Sequence, residues 1–185
     1  MSTSVTSRPR PASHNRLLGL RQPGRLALAV FRLPLRLYRR GWDWLLGHTF
    51  LLLVHAGRRT GVLHQTTDMV LRFDKKTKEA VICSGWGADA DWVRNIRARP
   101  AVRVQVARDA FVPEQRFLTN EEAVAVVIEF RRRHPWRVRL VARVLGWGDL
   151  RSDTAVREFV RTRPFVAFRP SSPGADEVPG LMPRL

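Results

Sequence analysis

Gly57-Arg58-Arg59-Thr60-Gly61 is the segment of this sequence best suited to hold an anion. Its glycines let backbone N–H groups converge on one point, and two guanidinium groups stand beside them. A phosphate suits such a turn, although an isolated motif of this length is more often a solvated hairpin turn. A second segment, Ser84-Gly85-Trp86-Gly87, is followed by Asp91-Trp92-Val93-Arg94-Asn95-Ile96-Arg97-Ala98-Arg99-Pro100. Here a glycine loop opens a helix, and the free N–H groups of a helix start favour anions. The glycines would let a flat ring approach the backbone, with Trp86 or Trp92 walling its pocket. Asn95 shares a helix face with Trp92 and could hydrogen-bond the ring or brace the loop. The plainer alternative makes Trp92 a core anchor and Asn95 a structural bridge, and for Trp92 it weighs at least as heavily.

The other reactive side chains form no constellation. His14, His48, His55, His64 and His134 lack metal-ligand spacing, so no metal is assigned. Arg131-Arg132-Arg133-His134 with Arg137, Arg139 and Arg143 make a basic helical region, read first as a solvated face and second as a contact for an acidic tail or lipid. No catalytic triad, carboxylate pair or convincing general acid stands out; Ser84 or an ordered water could handle a proton, and that role stays open.

Charge narrows the partners. Lys and Arg number 33 against 16 Asp and Glu, a net +17, and lysine occurs only at Lys75, Lys76 and Lys78. An anionic partner is expected: phosphate, nucleic acid or lipid. The single cysteine, Cys83, lies in an apolar run and rules out a disulfide framework, so a reducing, cytoplasmic setting is expected. No apolar run reaches membrane-spanning length. Nine arginines and no acid precede Asp43, a composition that suits a bacterial basic tail first and a mitochondrial targeting segment second.

The elements that must position these residues follow from periodicity. Residues 1–23 are too polar to order themselves and are expected to be a mobile arm, with a single packed domain over 24–170 and a disordered tail over 171–185. From Arg25 to Leu46 apolar residues recur near helical spacing among arginines, with Pro34 as a kink. Phe50 to His55 is a strand entering the GRRTG turn; residues 65–73 and 79–84 form a hairpin across Asp74-Lys75-Lys76-Thr77-Lys78. Asp89 or Asp91 is expected to cap a short helix ending at Ala98. Val102, Val104 and Val106 begin a second hairpin, with a return strand from Phe111 to Phe117. Helices are expected over Asn120–Arg133, opened by an Asn cap, and over Pro135–Leu145, and Phe165 to Phe168 is a last strand. The order implies an α+β protein with a curled or barrel-like antiparallel sheet.

Taken together, GRRTG and SGWG followed by ADWVRNIRARP resemble the deazaflavin-dependent nitroreductase family, split β-barrel oxidoreductases of actinobacteria that use coenzyme F-420. The resemblance spans roughly residues 25–169 and begins in Arg32-Leu-Pro-Leu-Arg-Leu-Tyr-Arg-Arg40 and Phe50-Leu-Leu-Leu. It implies an FMN-binding-type split barrel. It also implies that Arg58, Arg59, Thr60 and Gly61 hold the coenzyme's phosphate and acidic tail, and that Ser84, Gly85, Trp86 and Gly87 line the deazaflavin ring. Trp92 and Asn95 match helix positions beside the cofactor. Many relatives carry lysine at Arg59 and a basic residue at His64, and tyrosines lining the pocket of nitroimidazole-reducing members have no counterpart here, Tyr38 being the single tyrosine. The implied reaction is hydride transfer from reduced F-420 to a small organic acceptor: a quinone, an enone or a nitro compound. Bound FMN in the same barrel is the near alternative. A basic nucleic-acid-binding module is the distant one, disfavoured because no reader motif is present. The arginine-rich N-terminus is expected to touch an anionic membrane peripherally.

Overall fold

The computed structural model describes residues 47–145 and 147–171 of the 185-residue chain. The expected basic arm, the helix over 25–46 and the tail from 172 onward lie outside the described residues. After a 3-10 turn at Gly47–Thr49 come β1 (Phe50–Ala56), β2 (Leu63–Phe73), β3 (Ala80–Cys83), α1 (Asp91–Ala98), β4 (Arg103–Val106), β5 (Asp109–Phe111) and β6 (Pro113–Phe117). Helices α2 (Asn120–Arg133), α3 (Pro135–Leu145) and α4 (Asp153–Arg161) then lead to β7 (Phe165–Pro170).

All seven strands pair antiparallel in the order β5-β4-β1-β2-β3-β7-β6. The two edge strands, β5 and β6, are separated in sequence by Val112 alone. A single residue cannot bridge the width of a flat seven-stranded sheet, given nearly 5 Å between neighbouring strands. The sheet must therefore curl until its edges meet, which makes an almost closed barrel. Strand β2 serves both halves: Leu63–Met69 pairs with β1 and Val70–Phe73 with β3, with a bulge between Val70 and Arg72 where the register shifts.

Alternation along the strands creates two cores. Leu51, Leu53, Ile82, Val104, Val106, Val166 and Phe168 fill the barrel interior, joined by Trp92, Val93 and Ile96 of α1. The intervening residues Met69, Val81, Cys83, Phe165 and Ala167 face outward and are covered by Val126, Val127 and Phe130 of α2 and Val156, Phe159 and Val160 of α4. Helix α1 thus plugs the barrel, while α2 and α4 clad it.

Several boundaries differ from expectation. The single strand expected over Phe111–Phe117 is two, broken at Val112 where the sheet turns from one edge to the other. Thr119 caps α2 instead of Asn120: its hydroxyl accepts from Glu122 N–H and the Glu122 carboxylate accepts from Thr119 N–H, a reciprocal capping box. Neither Asp89 nor Asp91 caps α1, whose N-cap is Ala90 without a side-chain bond; Asp91 is instead the first residue of the helix and turns outward to Arg58. Helix α4 was not expected, although Ser152 caps it through Ala155 N–H and Val156, Phe159 and Val160 carry the helical spacing.

Candidate functional site

The β1–β2 turn and the start of α1 come together through one amide. Asn95, 5 % exposed, accepts at Oδ1 from the backbone N–H of Arg58 at 3.1 Å and from Arg58 Nη1 at 3.0 Å. Its Nδ2 lies 3.2 Å from Nδ1 of His55, so that ring nitrogen must be the acceptor and Nε2 carries the proton of the neutral ring. Burial, followed by the nearby His64 ring, pushes His55 down to about 4, which keeps it neutral at physiological pH. Arg58 also meets Asp91 at 2.9 Å and holds that carboxyl below the usual range.

Turn chemistry makes this approach possible. Gly61 sits at φ +72, the left-handed region where a Cβ is strained, and its N–H donates to Gly57 O at 2.8 Å. A Cβ on Gly57 would stand 2.9 Å from Thr60 Oγ1 and 3.1 Å from His64 Nε2, so only glycine lets the turn fold back this tightly. Between the turn and α1 opens a cleft of about 370 Å3, lined by Arg58, Arg59 and Thr60, by His55, His64, Gln65 and Thr66 of the strands, and by Asp91, Trp92 and Asn95. Trp92 is 5 % exposed, and its indole Nε1–H is buried without a hydrogen-bond acceptor. A buried donor left unpaired costs about 1–3 kcal/mol, which an acceptor on a ligand would recover.

Ser84, Gly85, Trp86 and Gly87 form a separate structure. Ser84 is fully buried; its hydroxyl donates to Gly87 O at 2.6 Å and its N–H to Pro164 O at 3.0 Å. The Trp147 indole N–H donates to Gly85 O at 3.2 Å, tying the loop to the segment after α3. None of the four loop residues lines the cleft. Of the ten residues singled out in the sequence, five therefore share the cleft (Arg58, Arg59, Thr60, Trp92 and Asn95), Gly61 shapes the turn above it, and four build the neighbouring loop.

Sequence reasoning gave His55 and His64 a structural or surface role and noted His64 as a position where relatives carry a basic residue; the two pair directly across the β1–β2 hairpin, at His55↔His64, with rings 5.8 Å apart. Counting outward from the GRRTG turn would have found them. Sequence reasoning passed over Asp68, 7 % exposed and opposite Leu51 on the interior face of β2, where burial raises its carboxyl to about 8. An acid inside an apolar strand was the available signal. No group of three or more His, Cys, Asp or Glu able to hold a metal occurs among the described residues.

Compared with the curated proteins, the sequence matches none. Among solved structures it resembles an F420-H2 dependent reductase, FDR-A, at 16 % identity and TM-score 0.44, covering 65 % of this chain and 95 % of that one. A domain-swapped dimer matches at 18 % identity and TM-score 0.43 over 78 % of this chain and 99 % of its own. A pyridoxamine 5'-phosphate oxidase-related, FMN binding protein of Nostoc punctiforme matches at 12 % identity and TM-score 0.40, over 80 % and 81 %. Decisive for identity is the sequence itself, of which residues 39–152 match the model of the F420H2-dependent quinone reductase family. That match takes in the GRRTG turn, the glycine loop, α1 and Trp147, more than half of the chain, so the protein belongs to this family of oxidoreductases, whose reductant is reduced coenzyme F-420.

Proposed function

We propose that the cleft between the GRRTG turn and α1 grips the phosphate and acidic tail of coenzyme F-420, while Ser84, Gly85, Trp86 and Gly87 border its ring. The residues present fit such a group. Arg58, Arg59 and the turn's N–H groups are the donors an anion needs, and Trp92, whose Nε1–H is buried without a partner, is among the residues that line the cleft. Asp91 does not oppose this, because its side chain is 82 % exposed and can swing into water when a phosphate meets Arg58. That convergence of Arg58, Asn95 and an unpaired indole donor is the observation that carries the reading.

When bound, the reduced deazaflavin supplies the hydride. The chain's own residues bind, orient and exclude water. Asn95 holds the Arg58 backbone and guanidinium in one orientation, so the grip is organised before the ligand arrives. The Ser84 hydroxyl, fully buried and donating to Gly87 O, fixes the loop. A quinone is the acceptor this reading favours, with enones and nitro compounds as further substrates to compare. An acceptor of that kind partitions into lipid, and the arginine-rich residues 1–40 would draw the protein to an anionic membrane; deleting them should then weaken its hold on anionic vesicles.

Titration of the purified chain with F-420 tests the reading directly. Saturable binding is expected, weakened about tenfold or more by Arg58→Ala, a loss of roughly 1.4 kcal/mol or more in line with a charge-assisted hydrogen bond. Undetectable binding by the wild-type chain overturns it.

A further inference from the structure

Helix α3 carries apolar residues on its outer face as well as on its inner one. Val138 is 8 % and Ala142 8 % exposed, and they form its inner face. On the opposite side, at spacings of four and three, stand Trp136, Leu140 and Arg143. Trp136 is 62 % and Leu140 54 % exposed, so the two largest apolar side chains of the helix's first two turns point into water. Such exposure costs solvation free energy in the free protein and marks an interaction site.

What surrounds the patch identifies its occupant. Between Phe130 and Gly148 the chain has six arginines and no acid. Arg139 and Arg143 are exposed and make no ion pair or hydrogen bond among the described residues. The Arg137 guanidinium lies 5.3 Å from the Trp136 ring centroid, holding a cation at the edge of the apolar patch. Beside the helix runs a groove of about 970 Å3 lined among others by Arg139 and Arg143 and by the Arg151–Asp149 ion pair. A tryptophan and a leucine ringed by arginines match a lipid surface, where the apolar pair enters the headgroup boundary and the guanidiniums meet phosphates. The chain's own arginine-rich N-terminal stretch carries the same sign of charge and would be repelled.

We propose that α3 docks the protein on an anionic membrane surface through Trp136 and Leu140, with Arg137, Arg139 and Arg143 meeting lipid phosphates. The docking helix is tied to the glycine loop. Trp147 N–H donates to Ala142 O at the end of α3 and the Trp147 indole donates to Gly85 O, so a single residue links the lipid-facing helix to the glycine loop. The proposal stands whether or not the cleft binds F-420, because it rests on α3 alone.

The test is co-sedimentation of the full chain with vesicles of phosphatidylglycerol and phosphatidylcholine in equal parts, against phosphatidylcholine alone. Binding is expected only to the anionic vesicles, and Trp136→Ser with Leu140→Ser, or Arg139→Gln with Arg143→Gln, should each lower the partition at least tenfold without changing the melting temperature. As a second reading, lipids brominated in their chains should quench the emission of the bound wild type more than that of bound Trp136→Phe. Wild-type binding by the double serine variant overturns the proposal and leaves the contact to residues 1–40. Absence of vesicle binding together with duplex-DNA binding that the arginine variants lose overturns it in favour of nucleic acid.

Discussion

Asn95 organises the cleft with one amide, serving two donor groups of Arg58 at its oxygen and one ring nitrogen of His55 at its nitrogen. Both the oxygen and the nitrogen of that amide have a partner before any ligand binds, whereas the neighbouring Trp92 Nε1–H is buried and unpaired. The two residues therefore predict different failures. Trp92→Phe removes the orphan donor, saving its desolvation cost while losing part of the indole's packing, so the free protein should melt within a few degrees of wild type. F-420 binding should weaken about tenfold if the ligand accepts from that N–H, the worth of roughly 1.4 kcal/mol. Unchanged affinity in the phenylalanine variant would assign Trp92 to packing alone. Of the two descriptions of Trp92 drawn from the sequence, the core anchor is what the fold displays, since Trp92 belongs to the barrel core, and it also lines the cleft.

At the scale of elements, what the sequence announced was local and what it hid was not. The limits of α2 and α3 were readable because Pro135 separates them, and the polar Asp74–Lys78 turn announced the β2–β3 hairpin. The break at Val112 was not readable, because a valine between two strands looks like strand; the reason it ends one is the curl of the whole sheet, which no window of residues contains. The two histidines of the cleft were legible by contrast, since their meeting follows from counting the hairpin register outward from the GRRTG turn. Elements can be perturbed separately. Thr119→Ala removes the hydroxyl that caps α2 and should cost about 1 kcal/mol, seen as a melting temperature lower by about 3 °C, with F-420 affinity unchanged because α2 clads the outside of the barrel. Gly61→Ala forces a Cβ into the left-handed region at φ +72 and within 3.4 Å of Arg99 Nη1. It should cost roughly 1–2 kcal/mol and also weaken binding, because the turn it distorts carries both arginines. Equal loss of affinity in both variants would mean that the cleft senses overall stability and not the turn.

At the scale of the folded molecule, two buried groups among the described residues, His55 and Asp68, have titrations that oppose each other. His55 falls from 6.5 to about 4, so between those values the unfolded chain binds one proton more there and stability rises with pH. Asp68 rises from 3.8 to about 8, so between those values the folded chain binds one proton more there and stability falls with pH. From pH 4 to 6.5 the two slopes cancel. Above 6.5 the histidine is neutral in both states and drops out, while the carboxyl is still losing its proton in the folded state only beyond about 8. Between pH 6.5 and 8 these two groups leave a net decline, and beyond that range the full cost of an ionised carboxylate facing Leu51 is present. Asp68→Asn keeps the shape and the acceptor for Met69 N–H, at 2.8 Å in the wild type, while abolishing the charge. The variant should be about 3 kcal/mol or more stable than wild type at pH 9 and close to it at pH 4, and urea midpoints across pH 4 to 9 measure the difference. A gap of constant size across that range would show that Asp68 titrates alike in both states, and a wild type that gains stability from pH 6.5 to 8 would show that the carboxyl is not held protonated inside the barrel.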